Sequence, residues 1–430
     1  MKLAVYGLWH LGSVTAACLA EAGFATLGLD SDSATIGTLT RGVPPLFEPG
    51  LEKVIRAGLA SGRLGFTTDA AAVTDCGIVW VTFDTPVGED DRADDQAVMR
   101  AVERLFPHLC DGAVVLISSQ LPVGSTRTLE IAFAAVAAGR TVSFAYSPEN
   151  LRLGKAIEVF TRPERIIIGI RDDYARSVLE PVLARFCAEL IWLSVESAEM
   201  TKHALNAFLA TCVTFMNEIA TVCERVGADA AEVETALRSE PRIGKRAYIR
   251  PGGAFAGGTL ARDVMFLNAI GSRHGLTLPL LGGIIPSNQR HRQWPLDQLT
   301  VRLDGLAKRR VAVLGLTYKP DTDSLRRSAA IELCRQLVGA GAVVIVHDPA
   351  AEPLPDDLAT DVTRVDSAAA ALDHADALVV ATEWPIYREL QPDTVLAAMA
   401  RPLVLDQGRF LADRFGRDER FHYVTVGTPL

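Results

Sequence analysis

Two stretches of the sequence combine residue types that could bind and transform a small polar substrate. The first is the loop Pro251–Asp263, PGGAFAGGTLARD, in which four glycines precede a hydroxyl at Thr259, a guanidinium at Arg262 and a carboxylate at Asp263. Glycine is costly in backbone entropy and is usually kept where a chain must turn sharply or let a ligand come close. The loop therefore has the make-up of a substrate loop, with a flexible surface linker as the alternative.

The second stretch is an apolar segment in which Lys202 and Asn206 are spaced by four residues. The run from Ser194 to about Gly227 is predicted to be one helix, because Ser194 is a good N-cap and Gly227 a suitable C-terminal stop. Residues spaced by four share a helical face. A lysine is usually only solvated, but one paired with an asparagine among Ala, Leu and Phe is a better candidate for a site.

This predicted helix also bears on the architecture. At ~1.5 Å per residue it would be about 50 Å long, which is more than one small domain can cover. We therefore expect it to join two domains and to bury its spare apolar face against a second subunit.

The N-terminal segment has the pattern of a dinucleotide-binding turn. A short apolar strand is followed by GLWHLG, from Gly7 to Gly12, then by a helical stretch and by a second strand that ends at Asp30. In such units the outer glycines form the tight turn and the helix–sheet contact, and the acid meets the adenosine ribose. The place of the middle glycine is taken by Trp9, whose indole either points away or alters the cofactor pose.

Strand and turn patterns continue on both sides of the long helix. N-terminal strands are expected at 2–6, 25–30, 78–82, 113–118, 143–146 and 165–169. A similar strand-and-turn pattern recurs in the last third of the chain, in segments 310–330, 342–349, 377–390 and 402–409. Asp348 ends the second strand of this series, but the glycine fingerprint is absent. The predicted fold class is α/β, with two Rossmann-like doubly wound domains joined by a long central helix. The predicted domains are 1–193, 194–298 and 299–430.

Three basic residues of the C-terminal unit stand at strand ends. Lys319, Arg326 and Arg409 could hold phosphates there, and surface salt bridges are the alternative. The unit is therefore predicted to be a nucleotide-type fold that binds a different ligand from the N-terminal unit.

Composition restricts the class of protein. Apolar residues make up 49% and charged residues 22% of the chain, as in a soluble globular protein with ample core. The net charge of −9, without a basic stripe, argues against nucleic acid. No run reaches the ~18 apolar residues of a membrane span, and the N-terminus lacks a signal-peptide cleavage site. The seven cysteines form no CxxC and the histidines no HxxxH, so we expect reduced thiols in a cytoplasm and no metal site.

Taken together, the ordered motifs resemble the UDP-glucose/GDP-mannose dehydrogenase family over essentially the whole chain. They are GLWHLG…GLDSD, PPLFEPGLE, VTFDTPV, SSQLPVGST, SPENLRLGKAIEVFTRPERIIIG, SAEMTKHALNAFLATCVTFMNEIA, PRIG, PGGAFAGGTLARD, GLTYKPDTDSLRRS, HDP, TEW and LDQGR. The resemblance implies an N-terminal NAD-binding Rossmann domain, a central dimerising helix and a C-terminal nucleotide-sugar domain. It also implies NAD as cofactor, a UDP-sugar or related nucleotide sugar as partner, a homodimer, and two successive oxidations of a C6 alcohol to the carboxylate.

The resemblance also implies roles for individual positions. The catalytic positions are Lys202, Asn206, Asp263 and Glu149, with Thr259 at the nucleophile position. The cofactor positions are Gly7, Trp9, His10, Leu11, Gly12, Asp30, Thr85, Gln120 and Arg326. The substrate positions are Leu151, Arg242, Tyr248, Gly257, Lys319 and Arg409. In such a site an ammonium and an amide can stabilise an oxyanion at C6, while carboxylates manage the proton and a water.

Four positions depart from the family pattern. They are Thr259 in place of the nucleophilic cysteine, Gln120 in place of a usual threonine, Leu153 in place of a second glutamate, and Trp9 in place of the middle glycine. A thiol with a pKa near ~8.5 supplies some thiolate at neutral pH, whereas a hydroxyl needs a strong base. Cys212 and Cys223 lie too far along the helix from Lys202 to be confident substitutes.

Three functions remain open from the sequence. The first is an NAD-dependent nucleotide-sugar oxidoreductase with altered chemistry, a single hydride transfer or an epimerisation, which needs Lys202, Asn206 and Asp263 but no thiol. The second is full oxidation of the C6 alcohol to the uronate through a hydrated aldehyde, with Asp263 and Glu149 assisting a water. The third is a non-catalytic nucleotide-sugar-binding protein, which the changes at the cofactor turn and the nucleophile position favour.

Overall fold

The computed structural model describes residues 1–85, 94–149, 151–256, 258–351 and 353–429. These residues form two compact units, Met1–Ala204 and Leu205–Leu430. The boundary between the units falls inside the long helix that the sequence predicts. The three-domain division at 193/194 and 298/299 stays a prediction.

The first unit is built on one eight-stranded sheet. Its strands are β1 (Lys2–Tyr6), β2 (Ala25–Leu29), β3 (Leu64–Thr67), β4 (Ile78–Val81), β5 (Ala113–Ile117), β6 (Val142–Tyr146), β7 (Ile166–Ile170) and β8 (Leu190–Ser194). The order is β3-β2-β1-β4-β5-β6-β7-β8, and neighbours run parallel except β6 and β7. The six predicted strands are confirmed to within one residue at either end. Strands β3 and β8 add an edge on each side.

Helices cover both faces of this sheet. They are α1 (His10–Glu21), α2 (Ser33–Thr40), α3 (Leu51–Ala60), α4 (Asp95–Leu105), α5 (Ser125–Val136), α6 (Ala156–Thr161) and α7 (Asp173–Leu183), with 3₁₀ turns at Ala70–Val73 and Phe106–His108. One hydrophobic cluster joins α1, α3, α6 and α7 to the sheet, and a second joins α4 and α5 to it. Coverage of both faces confirms the doubly wound class, since parallel sheets are stable only when buried on both sides.

The long helix α8 runs over Val195–Val226, 32 residues. It begins where predicted, with the Ser197 N–H 3.4 Å from Ser194 Oγ, and it stops before Gly227, whose φ is +80°. Phe208, Phe215 and Val222 are spaced by seven residues and are each about half exposed or more. Among the described residues, α8 is long and apolar enough for a membrane span by length and composition, which core helices of soluble proteins also satisfy.

The second unit contains a second parallel sheet. Its strands are β9 (Arg310–Leu314), β10 (Val343–His347), β11 (Val362–Arg364), β12 (Ala377–Val380), β13 (Leu403–Asp406) and β14 (His422–Val424). The order is β11-β10-β9-β12-β13-β14, parallel throughout. The run β3-β2-β1-β4-β5-β6 of the first sheet has the same order, so the predicted similarity of the C-terminal unit to the N-terminal unit is confirmed.

The helices of the second unit fall into two groups. Before β9 lie α9 (Ala230–Ser239), α10 (Thr259–Arg273), α11 (Pro279–Arg292) and α12 (Trp294–Arg302). Among the later strands lie α13 (Ala329–Gly339), α14 (Ala368–Leu372), α15 (Pro392–Ala398) and α16 (Ala412–Phe415), with a 3₁₀ turn at Pro385–Glu389. The predicted substrate loop thus ends in α10, which carries Thr259 as its first residue.

Candidate active site

The turn between β1 and α1 has the shape that close approach of a pyrophosphate requires. Gly7 has a φ of +96°, and a Cβ there would lie 2.7 Å from the Phe83 ring. A Cβ on Gly12 would lie 1.8 Å from the Gly7 carbonyl oxygen. Side chains are therefore excluded at both positions, and the start of α1 can present its N–H groups to an anion.

Trp9 does not strain this turn. Its φ is −72°, a value open to any L-residue, and 48% of the residue is exposed. This favours the alternative in which the indole points away. Asp30, at the end of β2, is half-buried and accepts a hydrogen bond from the Leu8 N–H at 2.7 Å. The glycine turn and Asp30 therefore fit the pyrophosphate and ribose of NAD.

The other predicted cofactor positions are used in different ways. Thr85 donates to the Gln120 carbonyl oxygen at 2.5 Å, which ties the segments after β4 and β5 together. The Leu11 side chain is buried in the core. Arg326 belongs to the second unit and is exposed. Their roles toward the cofactor stay predictions.

Glu48 is a buried carboxylate that the sequence reasoning missed. One of its oxygens lies 2.9 Å from His10 Nε2 and accepts the Gly154 N–H at 2.8 Å, and the other accepts the Ala156 N–H at 2.9 Å. Glu48 thus connects the start of α1 to the segment just after Glu149. Its only local signal is the turn FEPG, in which a glutamate looks like an ordinary solvated residue.

We expect Glu48→Gln to lower the free energy of unfolding by about 1–3 kcal/mol, because an amide keeps one acceptor oxygen where the carboxylate uses two. Urea unfolding of both proteins measures this loss. Glu52→Gln is the matched control: Glu52 is exposed and pairs with Arg56 at 2.6 Å, so its loss should stay below about 0.5 kcal/mol. Equal losses in the two variants would contradict the assignment of Glu48 as a connector.

Lys202 and Glu149 form a pair within the first unit. Lys202 is 7% exposed, and its Nζ donates to the Glu149 carbonyl oxygen at 2.6 Å and lies 3.4 Å from Glu149 Oε1. The other carboxylate oxygen of Glu149 accepts the Leu151 N–H at 2.9 Å. The predicted catalytic lysine and glutamate are therefore in direct contact.

Two neighbours of Lys202 on α8 serve to hold loops in place. Glu199 is fully buried and accepts the N–H groups of Gly124 and Thr126, at 2.6 and 3.0 Å, at the start of α5. His203 lies 3.1 Å from the Leu121 carbonyl oxygen. Glu199 therefore satisfies the N-terminus of a helix other than its own.

In the second unit, Asn206 and Asp263 form a buried pair. The Asn206 amide donates to Asp263 Oδ2, and the two residues are 5% and 0% exposed. Asp263 lies on α10 one turn after Thr259. Since Lys202 and Asn206 are one turn apart on α8, the helix carries a buried ammonium and a buried amide, each bound to one of the predicted catalytic carboxylates.

Thr259 lies in a cavity of about 280 Å³. The described lining is Gly258, Thr259, Arg262, Tyr318, Ser324, Arg326 and Arg327. No carboxylate or imidazole is among these described residues, so the lining offers no base for the Thr259 hydroxyl. Gly257, a predicted substrate contact, lies outside the described residues.

The cysteines give no support for a substitute nucleophile. All seven cysteines are unpaired. Burial raises the pKa of the Cys212 thiol, and Cys223 is buried in the core of the second unit. A raised pKa disfavours the reactive thiolate. Among the described residues, no group of three His, Cys, Asp or Glu side chains is placed to hold a metal ion.

The predicted substrate positions of the second unit differ in their exposure and in their contacts. Arg409 pairs with Asp229 at 2.7 Å, and Arg242 pairs with Glu240 at 2.8 Å while 88% of its side chain is exposed. Tyr248 is exposed. Lys319 Nζ lies 5.5 Å from the centre of the Tyr318 ring. At Arg409 the structure thus has the salt bridge that was the alternative to phosphate binding. Substrate-binding roles for Arg409, Arg242, Tyr248 and Lys319 stay predictions.

The second sheet also has an acidic residue beside a glycine turn, Asp348, but its carboxylate already accepts hydrogen bonds from the backbone. Asp348 accepts the N–H groups of Leu316 at 2.6 Å, Ala350 at 2.9 Å and Ala351 at 2.8 Å. Burial acts to raise the pKa of Asp348, yet these donors hold it below its ordinary value. Asp348 therefore fixes the turn after β9.

Fold and site together define a class of protein, a two-domain oxidoreductase whose first unit binds a dinucleotide. Family models identify the chain more closely. The UDP-glucose/GDP-mannose dehydrogenase family matches through its NAD binding domain at residues 1–187, its central domain at 196–290 and its UDP binding domain at 312–413.

Individual relatives match this chain over more than nine tenths of their own length. A UDP-glucose 6-dehydrogenase of Pseudomonas aeruginosa is 34% identical over 100% of this chain and 98% of its own. The UDP-glucose 6-dehydrogenase TuaD of Bacillus subtilis is 31% identical over 100% of this chain and 93% of its own. A UDP-glucose dehydrogenase from Pyrobaculum islandicum superposes with a TM-score of 0.86 at 32% identity, covering 99% of this chain and 98% of that one.

The chain belongs to the UDP-glucose/GDP-mannose dehydrogenase family. It is an NAD-dependent nucleotide-sugar dehydrogenase, acting on a CH–OH group. The family resemblance of the motifs and the NAD prediction are confirmed. The binding and catalytic roles of single residues stay predictions.

Proposed function

We propose that the protein oxidises a UDP-sugar by one hydride transfer per substrate molecule, or returns that hydride in an epimerisation, without the thiol-dependent second oxidation. The observation that carries the proposal is the environment of Thr259. The residue is exposed at the first position of α10, and its cavity offers no base among the described residues. A hydroxyl in such surroundings is a poor nucleophile toward an aldehyde.

The retained groups supply what a single oxidation needs. NAD, when bound, accepts the hydride from the carbon that carries the alcohol. The Lys202 ammonium stabilises the developing alkoxide, since a fixed charge in a partly dry site acts strongly on new negative charge. Glu149, whose carboxylate is 28% exposed and contacts Lys202, can accept the alcohol proton and pass it to water. The Asn206 amide is held by Asp263 and adds a donor to the same helix.

The test is the stoichiometry of the reaction. The protein is incubated with NAD and a panel of UDP- and GDP-sugars, and both NADH and product mass are followed. One NADH per aldehyde or ketone, or an epimer without net NADH, is expected. Two NADH with a uronate product would show instead that a hydrated aldehyde is oxidised with the help of Asp263 and Glu149. A thermal shift with UDP-sugars but no turnover of any would favour a binding protein.

The proposal includes a homodimer formed through α8. The exposed stripe Phe208, Phe215 and Val222 supports it, because monomers seldom expose such aligned apolar side chains. We expect Phe208→Glu combined with Phe215→Glu to halve the mass measured by light scattering. Ile131→Glu, an exposed apolar position on α5, is the control and should leave the mass unchanged. A monomeric wild type, or a double variant of unchanged mass, would contradict the dimer.

The domains 1–193, 194–298 and 299–430 and a cytoplasmic location belong to the same proposal. Seven unpaired cysteines support a reducing compartment, where thiols do not form disulfides.

A further inference from the structure

The first half of the loop Pro251–Asp263 is held by three buried polar side chains of the second unit. They are Asn217 on α8 and Asn288 and His291 on α11, and these residues are 2%, 3% and 8% exposed. Each side chain lies within hydrogen-bond distance of a backbone group of the loop. We call these three side chains the loop clamp.

Asn288 pairs with both backbone groups of one loop residue. Its Oδ1 accepts the Phe255 N–H at 3.0 Å, and its Nδ2 donates to the Phe255 carbonyl oxygen at 2.9 Å. A side-chain amide carries an acceptor oxygen and an NH₂ donor, so it can satisfy both groups at once. The Phe255 side chain belongs to a buried cluster with Val264 and Ile284. Asn288 and this packing together fix the middle of the loop.

The Gly252 backbone is held in a similar way, by side chains of two helices. Its N–H donates to Asn217 Oδ1 at 3.1 Å, and its carbonyl oxygen lies 2.8 Å from His291 Nε2. Because a carbonyl oxygen can only accept, His291 Nε2 carries the hydrogen. Burial lowers the pKa of His291, which favours the neutral ring. These contacts hold the start of the loop in one conformation.

The loop needs such contacts because its own sequence offers little to pack. Residues 251–256 read PGGAFA, in which Phe255 is the one large side chain. Two glycines and short side chains leave the unbound segment many conformations, and ordering them costs entropy. Hydrogen bonds from the two helices offset this cost. The loop clamp thus supplies an order that the local sequence does not specify.

The held segment borders a cavity of about 160 Å³ within the second unit. Gly253, Ala254 and Ala256 belong to its lining, together with Tyr318 and other residues of the second unit. Small side chains allow a ligand to lie close to the backbone. The same loop runs on to Thr259 at the start of α10. The loop clamp therefore acts on a segment that is suited to ligand contact and leads directly to the nucleophile position.

We propose that Asn288 is a positioning residue for nucleotide-sugar binding, with Asn217 and His291 as its partners in the loop clamp. Asn288 acts through the loop, which it keeps in the conformation that binds. When only a fraction of the molecules has the binding conformation, the apparent affinity falls by that fraction. The assignment of the loop to a nucleotide sugar rests on the proposed function, whereas the order of the loop does not.

The test is Asn288→Ala in the full chain. Its affinity for UDP, measured by titration calorimetry, should fall about tenfold, because two hydrogen bonds that order the loop are lost. The KM for the UDP-sugar should rise by a similar factor. The kcat and the KM for NAD should stay within about twofold, since saturating sugar restores the ordered loop. Hydrogen exchange should become faster in the peptide that contains Gly252 and Phe255.

Asn268→Ala is the matched control. Asn268 Nδ2 donates to the Leu281 carbonyl oxygen at 3.2 Å, which joins α10 to α11 through residues outside the loop. This variant should unfold at lower urea but keep the wild-type affinity for UDP and the wild-type exchange of the loop. Asn217→Ala removes a contact to the loop from a different helix and should also weaken UDP binding. It decides the matter if Asn288→Ala does not fold.

Several results would overturn the proposal. They are a wild type that binds neither UDP nor GDP, unchanged UDP affinity or loop exchange in the loop-clamp variant that folds, and an equal loss of affinity in Asn268→Ala. A lower kcat with an unchanged KM would also contradict it, since the effect would then lie in the chemical step. The number of NADH formed per sugar does not enter these measurements. Two NADH with a uronate product would therefore contradict the proposed function and leave the loop clamp in place.

Discussion

Replacing Lys202 by methionine is expected to lower kcat for NADH formation by about 10²–10³-fold while leaving the fold intact. The size of the loss follows from removing one fixed donor to a developing oxyanion. Methionine keeps most of the volume of the buried side chain, and Glu149, left without its cation, is exposed enough to be hydrated. Initial rates at saturating NAD and UDP-sugar measure kcat, and the thermal midpoint reports the fold.

Lys53→Met is the matched control, since Lys53 is an exposed lysine on α3 of the same unit. Its kcat should equal that of wild type. The comparison of kcat with KM is also diagnostic: loss of an interaction made in the transition state lowers kcat, whereas loss of uniform binding raises KM alone. An unchanged kcat in Lys202→Met would show that Lys202 does not take part in the reaction.

The sequence predicts the elements of this protein better than it predicts the contacts between them. Strands such as Lys2–Tyr6 and Ala113–Ile117 are continuous apolar runs bounded by polar residues or glycine, so local pattern is enough to place them. Leu190–Ser194 was missed, because it runs straight into α8 and has no turn residue to mark its end.

The site shows the same limit more clearly. Spacing alone puts Lys202 and Asn206 on one helical face. The carboxylates that hold the site together act across long stretches of chain: Glu48 binds N–H groups 106 and 108 residues away, and Glu199 binds groups 73 and 75 residues away. No local periodicity carries such pairings, so they are found only when the fold brings the partners together.

The departures from the family pattern differ in their physical effect. Trp9 leaves the glycine turn unstrained, and Leu153 is partly exposed, so neither disrupts the core of the site. The buried side chains of Lys202 and Asn206 meanwhile each keep a carboxylate partner, Glu149 and Asp263. A chain that had lost its activity by decay would have no reason to keep buried polar pairs, which are costly unless complete. Under the proposed function, Thr259 is therefore the first position to test.

Thr259→Cys is therefore expected to restore a second oxidation, raising the yield from one NADH per sugar to two and turning the product into a uronate. A thiol at the first position of α10 would lie at the positive end of the helix, in a cavity that Arg262 and Arg326 also line. Both features lower the pKa of a thiol from its ordinary value of about 8.5 and so favour thiolate. Product mass and NADH yield measure the gain, and the pH dependence of alkylation by iodoacetamide measures the thiol pKa.

Thr259→Ser is the control, because it keeps a hydroxyl and should keep one NADH per sugar. If Thr259→Cys reacts with iodoacetamide near neutral pH but still yields one NADH, the nucleophile is present and another residue blocks the second step. Gln120 is then the next position to change, since it is buried and its carbonyl oxygen is held by Thr85. Thr259→Cys with Gln120→Thr separates the two explanations: a second NADH only in the double variant would assign the block to both residues. A second NADH from a single variant, Thr259→Cys or Gln120→Thr, would assign the block to that residue alone.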